Sequence, residues 1–279
     1  MKDTIFLETN PFLPISAAPY PTASQSSSGS SSGSSNGSSN GSSNGFAFNA
    51  QVAAVFDDMI SRSVPGYENI QEISAQFVIE ALEKPCVVYD LGCSTGTSLL
   101  RIAQKIKEQR TAKPRFARGC HLIGIDSSAD MIKRAQEKIA AFACERIVTA
   151  QKGDIRYSDL SDAGVVLSHY TLQFLPPDDR AQVVQAVYQS LSEEGLFIFS
   201  EKVRHQSANL ERALTQAHEQ FRCQNGYSLV EIIRKREALE NVLIPFTLEQ
   251  NMALLRDAGF KTCEVIRKDL CFVTFLAKK

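Results

Sequence analysis

A glycine turn after a short apolar run is the part of this sequence best suited to hold a small molecule. A short apolar run from residue 87 stops at Asp90, Gly92 and Gly96 follow it, and helical spacing begins at Leu99. This order predicts the first strand, turn and helix of an open α/β sheet. Gly92 allows the backbone to approach a ligand, and free N–H groups at the helix N-terminus can contact it. A turn that serves packing alone is the other interpretation.

Two acidic residues indicate what that molecule is. Asp90 ends the first predicted strand, and Asp126 ends a second one at residues 120–126. An acid at the end of the strand beside the glycine turn can accept hydrogen bonds from two ribose hydroxyl groups. Ser94 stands where a dinucleotide-binding turn has its middle glycine, so the pyrophosphate fingerprint is incomplete. The turn instead resembles motif I of the S-adenosylmethionine (SAM) methyltransferases, whose ligand has no pyrophosphate.

Two later segments follow predicted strands on the same side of the sheet. After a strand at about residues 146–150, Asp154 could accept from an adenine amino group while the N–H of Ile155 reaches a ring nitrogen. An ordinary Gly-Asp turn explains these residues equally well. His169 follows a strand at residues 164–168, where ligands of open α/β sheets gather, although a structural hydrogen bond is the alternative role.

The remaining pattern predicts the architecture around these turns. Two helices precede the first strand, a fifth strand is expected at residues 196–200, and extra helices fill 206–242. Strands at 262–266 and 270–277 are separated only by residues 267–269, which predicts an antiparallel hairpin. The fold class is therefore α/β, a doubly wound Rossmann-like seven-stranded sheet with a terminal hairpin and extra helices.

Composition divides the chain into two parts. Residues 24–45 are almost wholly Ser, Gly and Asn, too polar to bury a core, which predicts a flexible linker. Residues 1–45 are thus expected to be an N-terminal segment with a disordered linker. Residues 46–279 are expected to form one SAM-binding catalytic domain, with a helical excursion at 206–242.

Charge and cysteine content exclude several classes of function. Thirty basic and 31 acidic residues give a net charge of −1, so no polyanion-binding surface and no direct nucleic acid contact are expected. No apolar run approaches the ~20 residues of a membrane span. Seven cysteines without a C-x-x-C pair suit reduced thiols in the cytoplasm. Four histidines without ligand spacing predict no metal.

Several runs, in order and spread over residues 46–279, resemble one family, the carboxy-S-adenosyl-L-methionine (carboxy-SAM) synthases. The runs are residues 55–60, 62–67, 89–94, 153–156, 171–175, 200–202, 225–228, 235–236 and 239–242. The resemblance implies a homodimeric enzyme that makes carboxy-SAM from SAM and prephenate, releasing phenylpyruvate and water. A second enzyme then uses the product to modify the wobble uridine of tRNA. The family chemistry captures carbon dioxide from prephenate at a sulfonium ylide, and no residue of this sequence is assigned as the proton acceptor.

The resemblance also implies which residues contact SAM or its carboxylated form. They are Tyr67, Gly92, Cys93, Ser94, Asp126, Ser127, Asp154, Ile155, His169 and Arg236. Arg236 is the residue expected to bind the added carboxylate, because a guanidinium forks onto such a group. Without the resemblance, an ion pair with Glu240 on the same helix is the simpler role. His169 and Ser127 stand where the family usually has asparagine.

Two alternatives to the synthase follow from the same residues. A conventional SAM-dependent methyltransferase is the first, and a non-catalytic partner in a tRNA-modifying complex is the second. Asp126, Asp154 and Arg236 argue against the second, since a scaffold has no use for them.

Residues 2–7 also resemble the start of family members, so we expect them to dock on the domain while residues 24–45 loop out as an insertion.

Overall fold

The computed structural model describes residues 48–82, 86–113 and 116–279. The predicted N-terminal segment and linker, and the docking expected of residues 2–7, lie outside the described residues. The helices are α1 Ala50–Ser63, α2 Tyr67–Ala81, α3 Thr97–Ala112, α4 Ala129–Ala141, α5 Pro177–Ser190, α6 Ala208–Gln224, α7 Leu229–Ala238 and α8 Leu248–Ala258. The strands are β1 Val87–Leu91, β2 His121–Asp126, β3 Val148–Lys152, β4 Ala163–His169, β5 Leu191–Lys202, β6 Thr262–Asp269 and β7 Phe272–Lys278.

The seven strands form one sheet in the order β3-β2-β1-β4-β5-β7-β6. Strands β1 to β5 pair in parallel, and β7 runs antiparallel to both β5 and β6. The order reverses beside β1, and in open α/β sheets such a switch point opens a crevice for ligands. The predicted fold class is confirmed, and the glycine turn after β1 lies at that crevice.

Helices cover both faces of the sheet. Neighbouring residues of β1 point to opposite sides, with Val88 in one apolar cluster and Tyr89 in the other. Ile102 of α3 is buried in the first cluster, whereas Val183 of α5 and Leu255 of α8 are buried in the second. Each fully buried aliphatic side chain contributes about 1.5–3 kcal/mol. The two helical layers therefore fix the strands whose ends form the crevice.

Several element boundaries differ from those predicted. The third strand lies at Val148–Lys152, shifted from residues 146–150, and β5 begins at Leu191 well before residue 196. The charged residues 267–269 belong to β6 and not to the hairpin loop, since Asp269 pairs with Phe272. This strand is an edge of the sheet, where charged side chains are tolerated. The hairpin turns at Leu270, whose φ is 53°.

Helices α6 and α7 form the predicted excursion and pack against α1. The hydroxyl of Tyr227, between the two helices, lies 3.2 Å from Ser63 Oγ, and Arg62 Nη1 donates to the carbonyl of Asn225 at 3.2 Å. The excursion thereby becomes a wall of the crevice. Among the described residues, no helix has both the length and the apolar character needed to cross a membrane.

Candidate active site

A cavity of about 690 Å³ lies at the carboxyl ends of β1, β2 and β4, with walls from α1, α6 and α7. Its volume falls within the range of sites that bind small molecules. The structure brings to this cavity every residue that the resemblance assigned to the nucleoside: Tyr67, Gly92, Cys93, Ser94, Asp126, Ser127, Asp154, Ile155, His169 and Arg236.

The backbone of the glycine turn is tied to the end of β2. The N–H groups of Gly92 and Cys93 donate to the carbonyl of Ile125 at 2.8 and 3.1 Å. Ser94 N donates to Asp126 Oδ2 at 2.9 Å, and Ser128 N donates to Asp126 Oδ1 at 2.9 Å. Burial raises the pKa of Asp126 against these hydrogen bonds. Because each carboxylate oxygen has a second lone pair, Asp126 can still accept from ribose hydroxyl groups.

Gly92 occupies a position that other residues cannot fill without strain. Its φ is +78°, in the left-handed region, and a Cβ atom would lie 2.1 Å from Thr171 Oγ1. The sequence interpretation explained this glycine by the approach of a ligand. The structure adds a second reason, which is the side chain of Thr171 packed against the turn.

A polar cluster holds α1 onto the glycine turn. Asp57 Oδ1 accepts from Thr95 Oγ1 at 2.6 Å, and Asp57 Oδ2 accepts from Lys138 Nζ at 2.8 Å. Lys138 also donates to Thr95 and Thr97 at 3.1 and 3.0 Å. The cluster joins α1, the turn and α4, so it fixes the wall that α1 contributes to the cavity.

Asp90 is buried beside the turn and also lines the cavity. It is the penultimate residue of β1 and not its end. Burial raises the pKa of Asp90 to about 7, with a smaller contribution from Asp126. Burial likewise raises the pKa values of Tyr67 and Cys93 above their ordinary values. The wall around the turn therefore disfavours additional negative charge.

Asp154 belongs to a turn and also lines the cavity. Its carbonyl accepts from Tyr157 N at 3.0 Å, which closes a turn, and the residue also lines the cavity. Arg156 Nη2 donates to Asp154 Oδ2 at 2.6 Å, and hydrogen bonding from Arg156 lowers the pKa of this carboxyl. Arg156 also pairs with Asp179 at 2.9 Å. Asp154 is thus held ionised at the cavity edge.

His169 is a buried, uncharged residue at the end of β4. Its Nδ1 lies 2.8 Å from Ser200 Oγ, which in turn lies 2.9 Å from Thr274 Oγ1. Its Nε2 has no hydrogen-bond partner among the described residues, and the side chain lines the cavity. The structural hydrogen bond and the position at the cavity, posed as alternatives from the sequence, coexist in His169.

The buried histidines are expected to stay neutral over the whole physiological pH range. Burial lowers the pKa of His169 to about 4 and that of His218 to about 3. Since the ordinary pKa is about 6.5, folding favours the neutral rings, and stability falls as pH drops from 6.5 towards 4. NMR titration of the ring protons should show no protonation of either ring between pH 8 and 5.5. A midpoint near 6.5 for either ring would contradict this burial.

Arg236 pairs with a different residue from the one expected within its helix. Its Nη1 lies 3.3 Å from Glu219 Oε1 of α6, in place of the alternative pair with Glu240. Its side chain is 60% exposed at the cavity edge. Helix α7 ends at Ala238, so Glu240 is not one helical turn from Arg236 on the same helix. The guanidinium is therefore accessible to a ligand in the cavity.

Sequence reasoning missed several residues that line the cavity. Aromatic and apolar side chains such as Phe56, Met59 and Phe272 contribute to its walls, as do the cations Arg222 and Lys235. Lys235 lay beside Arg236 in a matched run, which was a usable signal. Arg222 gave no such signal, because an arginine in a polar helix is not expected to be buried. Within the described residues, no group of three or more His, Cys, Asp and Glu side chains has metal-binding geometry.

The fold and the cavity define the class of protein. The Methyltransferase domain family matches residues 88–195. An O-methyltransferase from Nostoc punctiforme PCC 73102 has a TM-score of 0.57 at 18% identity, over 82% of this chain and 59% of that chain. Magnesium protoporphyrin IX methyltransferase from Synechocystis PCC 6803, solved with bound SAH, has a TM-score of 0.53 at 15% identity, over 81% of this chain and 94% of that chain. The chain has the class I SAM-dependent methyltransferase fold.

Relatives with higher identity narrow the class to one family. The chain is 42% identical over 234 residues to a protein of Sulfurimonas denitrificans, covering 84% of this chain and 94% of that protein. It is 44% identical over 235 residues to one of Wolinella succinogenes, covering 84% and 93%. Both relatives are named carboxy-S-adenosyl-L-methionine synthase. This chain belongs to the carboxy-SAM synthase family, which confirms the resemblance, and it is an enzyme of the SAM methyltransferase superfamily.

Proposed function

We propose that the enzyme makes carboxy-SAM from SAM and prephenate and releases phenylpyruvate and water. The observation that carries this proposal is that the glycine turn and Arg236 border the same cavity. A nucleoside held at the turn and an anionic group bound by a guanidinium can therefore belong to one ligand. SAM carries only its methionine carboxylate, whereas carboxy-SAM carries a second carboxylate, and Arg236 is the guanidinium proposed to bind that second group.

Each side chain near the turn has a proposed contact with the nucleoside. Asp126 accepts from the ribose hydroxyl groups, and Asp154 with the N–H of Ile155 binds the adenine edge. The proposal is supported by the ionised state of Asp154 and the fixed position of Asp126 between Ser94 and Ser128. The remaining contacts to SAM are proposed for Tyr67, Gly92, Cys93, Ser94, Ser127 and His169.

The proposed reaction forms one carbon–carbon bond at the methyl group of SAM. Decarboxylation of prephenate releases carbon dioxide and expels hydroxide from the ring as the ring becomes aromatic. The methyl carbon, after loss of a proton, attacks carbon dioxide to give the carboxymethyl sulfonium. The expelled hydroxide and the methyl proton together account for the water. In this scheme the protein positions both reactants and binds the new carboxylate through Arg236.

The cellular setting is proposed with the reaction. The product is proposed to serve tRNA wobble uridine modification by a second enzyme, without direct contact between this chain and nucleic acid, in the cytoplasm. A homodimer through α6 and α7 is supported by the exposed apolar side chains of Leu210, Leu229, Val230 and Ile233 on these helices. Apolar side chains gathered on one exposed region are typical of an interaction surface.

Mass spectrometry of the nucleoside that copurifies with the full chain tests the proposal. We expect carboxy-SAM in the purified protein, and its formation when SAM and prephenate are added to protein stripped of nucleoside. Recovery of SAM alone, with no product from prephenate, would favour the conventional methyltransferase. Recovery of no nucleoside, with no binding of added SAM, would favour the non-catalytic partner.

A further inference from the structure

The Arg222 side chain of α6 is a buried cation whose guanidinium makes no hydrogen bond among the described residues. It is 8% exposed and lines the cavity. No oxygen in the described part of the chain accepts a hydrogen bond from its guanidinium, and its Nε is enclosed. Glu219, one helical turn earlier, attracts the charge of Arg222 but forms its direct ion pair with Arg236. Arg222 therefore lacks the hydrogen-bonded anion that usually accompanies a buried charge.

A guanidinium in this position is unfavourable unless something in the cavity compensates its charge. Burial removes water from Arg222 and lowers its pKa, yet an arginine stays protonated in proteins. The flat, forked donors of a guanidinium match a carboxylate in two parallel hydrogen bonds. A carboxylate on a bound ligand would supply the missing partner.

A second buried cation lies in the same wall. Lys235 of α7 is 8% exposed, lines the cavity and donates to Ser63 Oγ at 2.8 Å. His218 Nε2 donates to the carbonyl of Ser63 at 2.8 Å, and burial, helped by the charges of Arg222, Lys202 and Lys235, keeps this ring neutral. The positive charge of the wall therefore belongs to the arginine and the lysines.

The acidic residues along the cavity leave this wall with an excess of positive charge. Asp90 and Asp126 belong to β1 and β2, near the glycine turn, and not to the wall formed by α1, α6 and α7. Glu219 is engaged by Arg236, and Glu237 and Glu240 are exposed. The two ends of the cavity thus differ in charge, with carboxylates at the nucleoside end and cations at the other.

Apolar side chains continue the cationic wall. The ring of Phe272 packs edge-on against His218, with centroids 4.9 Å apart. Met59, Val64 and Leu243 line the same cavity. A ligand that contacts these side chains and Arg222 together would carry a carboxylate on an apolar body about the size of a ring.

We propose that Arg222, with Lys235 beside it, binds a carboxylate of the co-substrate, a role different from that of the neighbouring Arg236 and from those of the nucleoside contacts. The inference rests on the proposed function in taking the co-substrate to be a ring-bearing carboxylic acid that occupies the cavity together with SAM. In this proposal SAM occupies the end of the cavity at the glycine turn, and the co-substrate occupies the end at the cationic wall. Arg222 and Lys235 select the carboxylate donor, whereas Arg236 binds the carboxylate after transfer.

The test is an Arg222→Met variant of the full chain, which keeps the length of the side chain without its charge. Calorimetric binding of prephenate is measured with protein saturated with S-adenosylhomocysteine, which lacks the methyl group and prevents turnover. We expect roughly 10- to 100-fold weaker prephenate binding, the loss typical of a hydrogen bond to a charged group. Affinity for S-adenosylhomocysteine should change less than about twofold, within the ordinary scatter of a distant substitution.

Two further variants serve as controls. Arg222→Lys keeps the positive charge but lacks the forked donors of a guanidinium. Relative to Arg222→Met, it should recover part of the prephenate affinity and have a lower KM for prephenate. Arg212→Met alters an exposed arginine of the same helix that does not line the cavity, and should leave both affinities unchanged.

Thermal unfolding separates binding from a purely structural role. Without ligand, Arg222→Met should unfold at the same temperature as the wild type or higher, since it removes a buried charge that no described residue accepts a hydrogen bond from. A lower Tm together with equal losses for both ligands would overturn the proposal, as would unchanged prephenate affinity.

If wild-type protein binds no prephenate, the proposed function fails, and phenylpyruvate and malonate become the probes. Binding of either that depends on Arg222 would still support the carboxylate site, and binding of neither would overturn it.

Discussion

Arg236→Leu is expected to weaken the binding of carboxy-SAM by roughly 10- to 100-fold, the loss typical of a hydrogen bond to a charged group. SAM lacks the added carboxylate, so its affinity should change less than about twofold, and the preference for the carboxylated nucleoside should disappear. The fold should be intact, because the lost pair with Glu219 is exposed and such pairs contribute little to stability. Calorimetry with both nucleosides and mass spectrometry of purified variants measure these changes.

The controls for this prediction use neighbouring residues. Arg236→Lys retains a charge but cannot fork, so intermediate affinity for carboxy-SAM is expected. Glu219→Gln releases the guanidinium from its ion pair and should leave carboxy-SAM binding as strong as in the wild type or stronger. Equal losses of SAM and carboxy-SAM affinity in Arg236→Leu would show that the residue supports the cavity wall without recognising the carboxylate.

Charge separation along the cavity connects the proposed binding of the nucleoside with the proposed binding of the co-substrate carboxylate. Carboxylates of the sheet line the proposed nucleoside end of the cavity, and cations of α6 and α7 line the proposed co-substrate end. A sulfonium group carries a positive charge and a co-substrate acid carries a negative one, so each is favoured at a different end. In the proposed reaction, the carboxylate moves from one ligand to the other within a common wall of cations. Such an arrangement suits transfer between two ligands bound side by side.

Local signals in the sequence predicted the sheet, the turns and several helix ends. Thr247 and Gln250 have the residue types and spacing of a capping box, and in the structure the side chain of each accepts from the backbone N–H of the other at 3.1 and 2.9 Å. Glycine is typical of a helix end, and Gly259 ends α8 with a φ of 107°. These features depend on residues within one or two turns of each other, so a single sequence is enough to recognise them.

Contacts between distant elements could not be predicted in the same way. The buried residues of α6 are His218 and Arg222, a pair that no apolar pattern would assign to an interior face. His218 packs against Ser63 and Phe272, which are far away in the chain. The ion pair of Arg236 with Glu219, in place of one with Glu240, likewise depends on contact between two different helices. Resemblance identified Arg236, but neither resemblance nor periodicity identified Arg222.

Gly92→Ala is expected to lower stability and to release the nucleoside. A left-handed φ costs an alanine about 1–2 kcal/mol, and the overlap of its Cβ with Thr171 costs about 1–3 kcal/mol more. The free energy of unfolding should thus fall by roughly 2–5 kcal/mol, which lowers Tm by roughly 5–15 °C in a domain of this size. Displacement of the turn would also move the N–H groups of Gly92 and Cys93 away from Ile125.

Two companion variants separate the steric effect from the conformational one. Gly226 also has a positive φ, of +87°, but its nearest neighbour to an added Cβ is Arg62 Nη1 at 3.8 Å, so Gly226→Ala should show the conformational cost alone. In Gly92→Ala, an added Thr171→Ala removes the atoms 2.1 and 2.4 Å from the new Cβ and should restore part of the stability. Calorimetric unfolding measures all the variants. Equal destabilisation by Gly92→Ala and Gly226→Ala would mean that Thr171 does not constrain the turn, and the close packing would then have no role in shaping the nucleoside site.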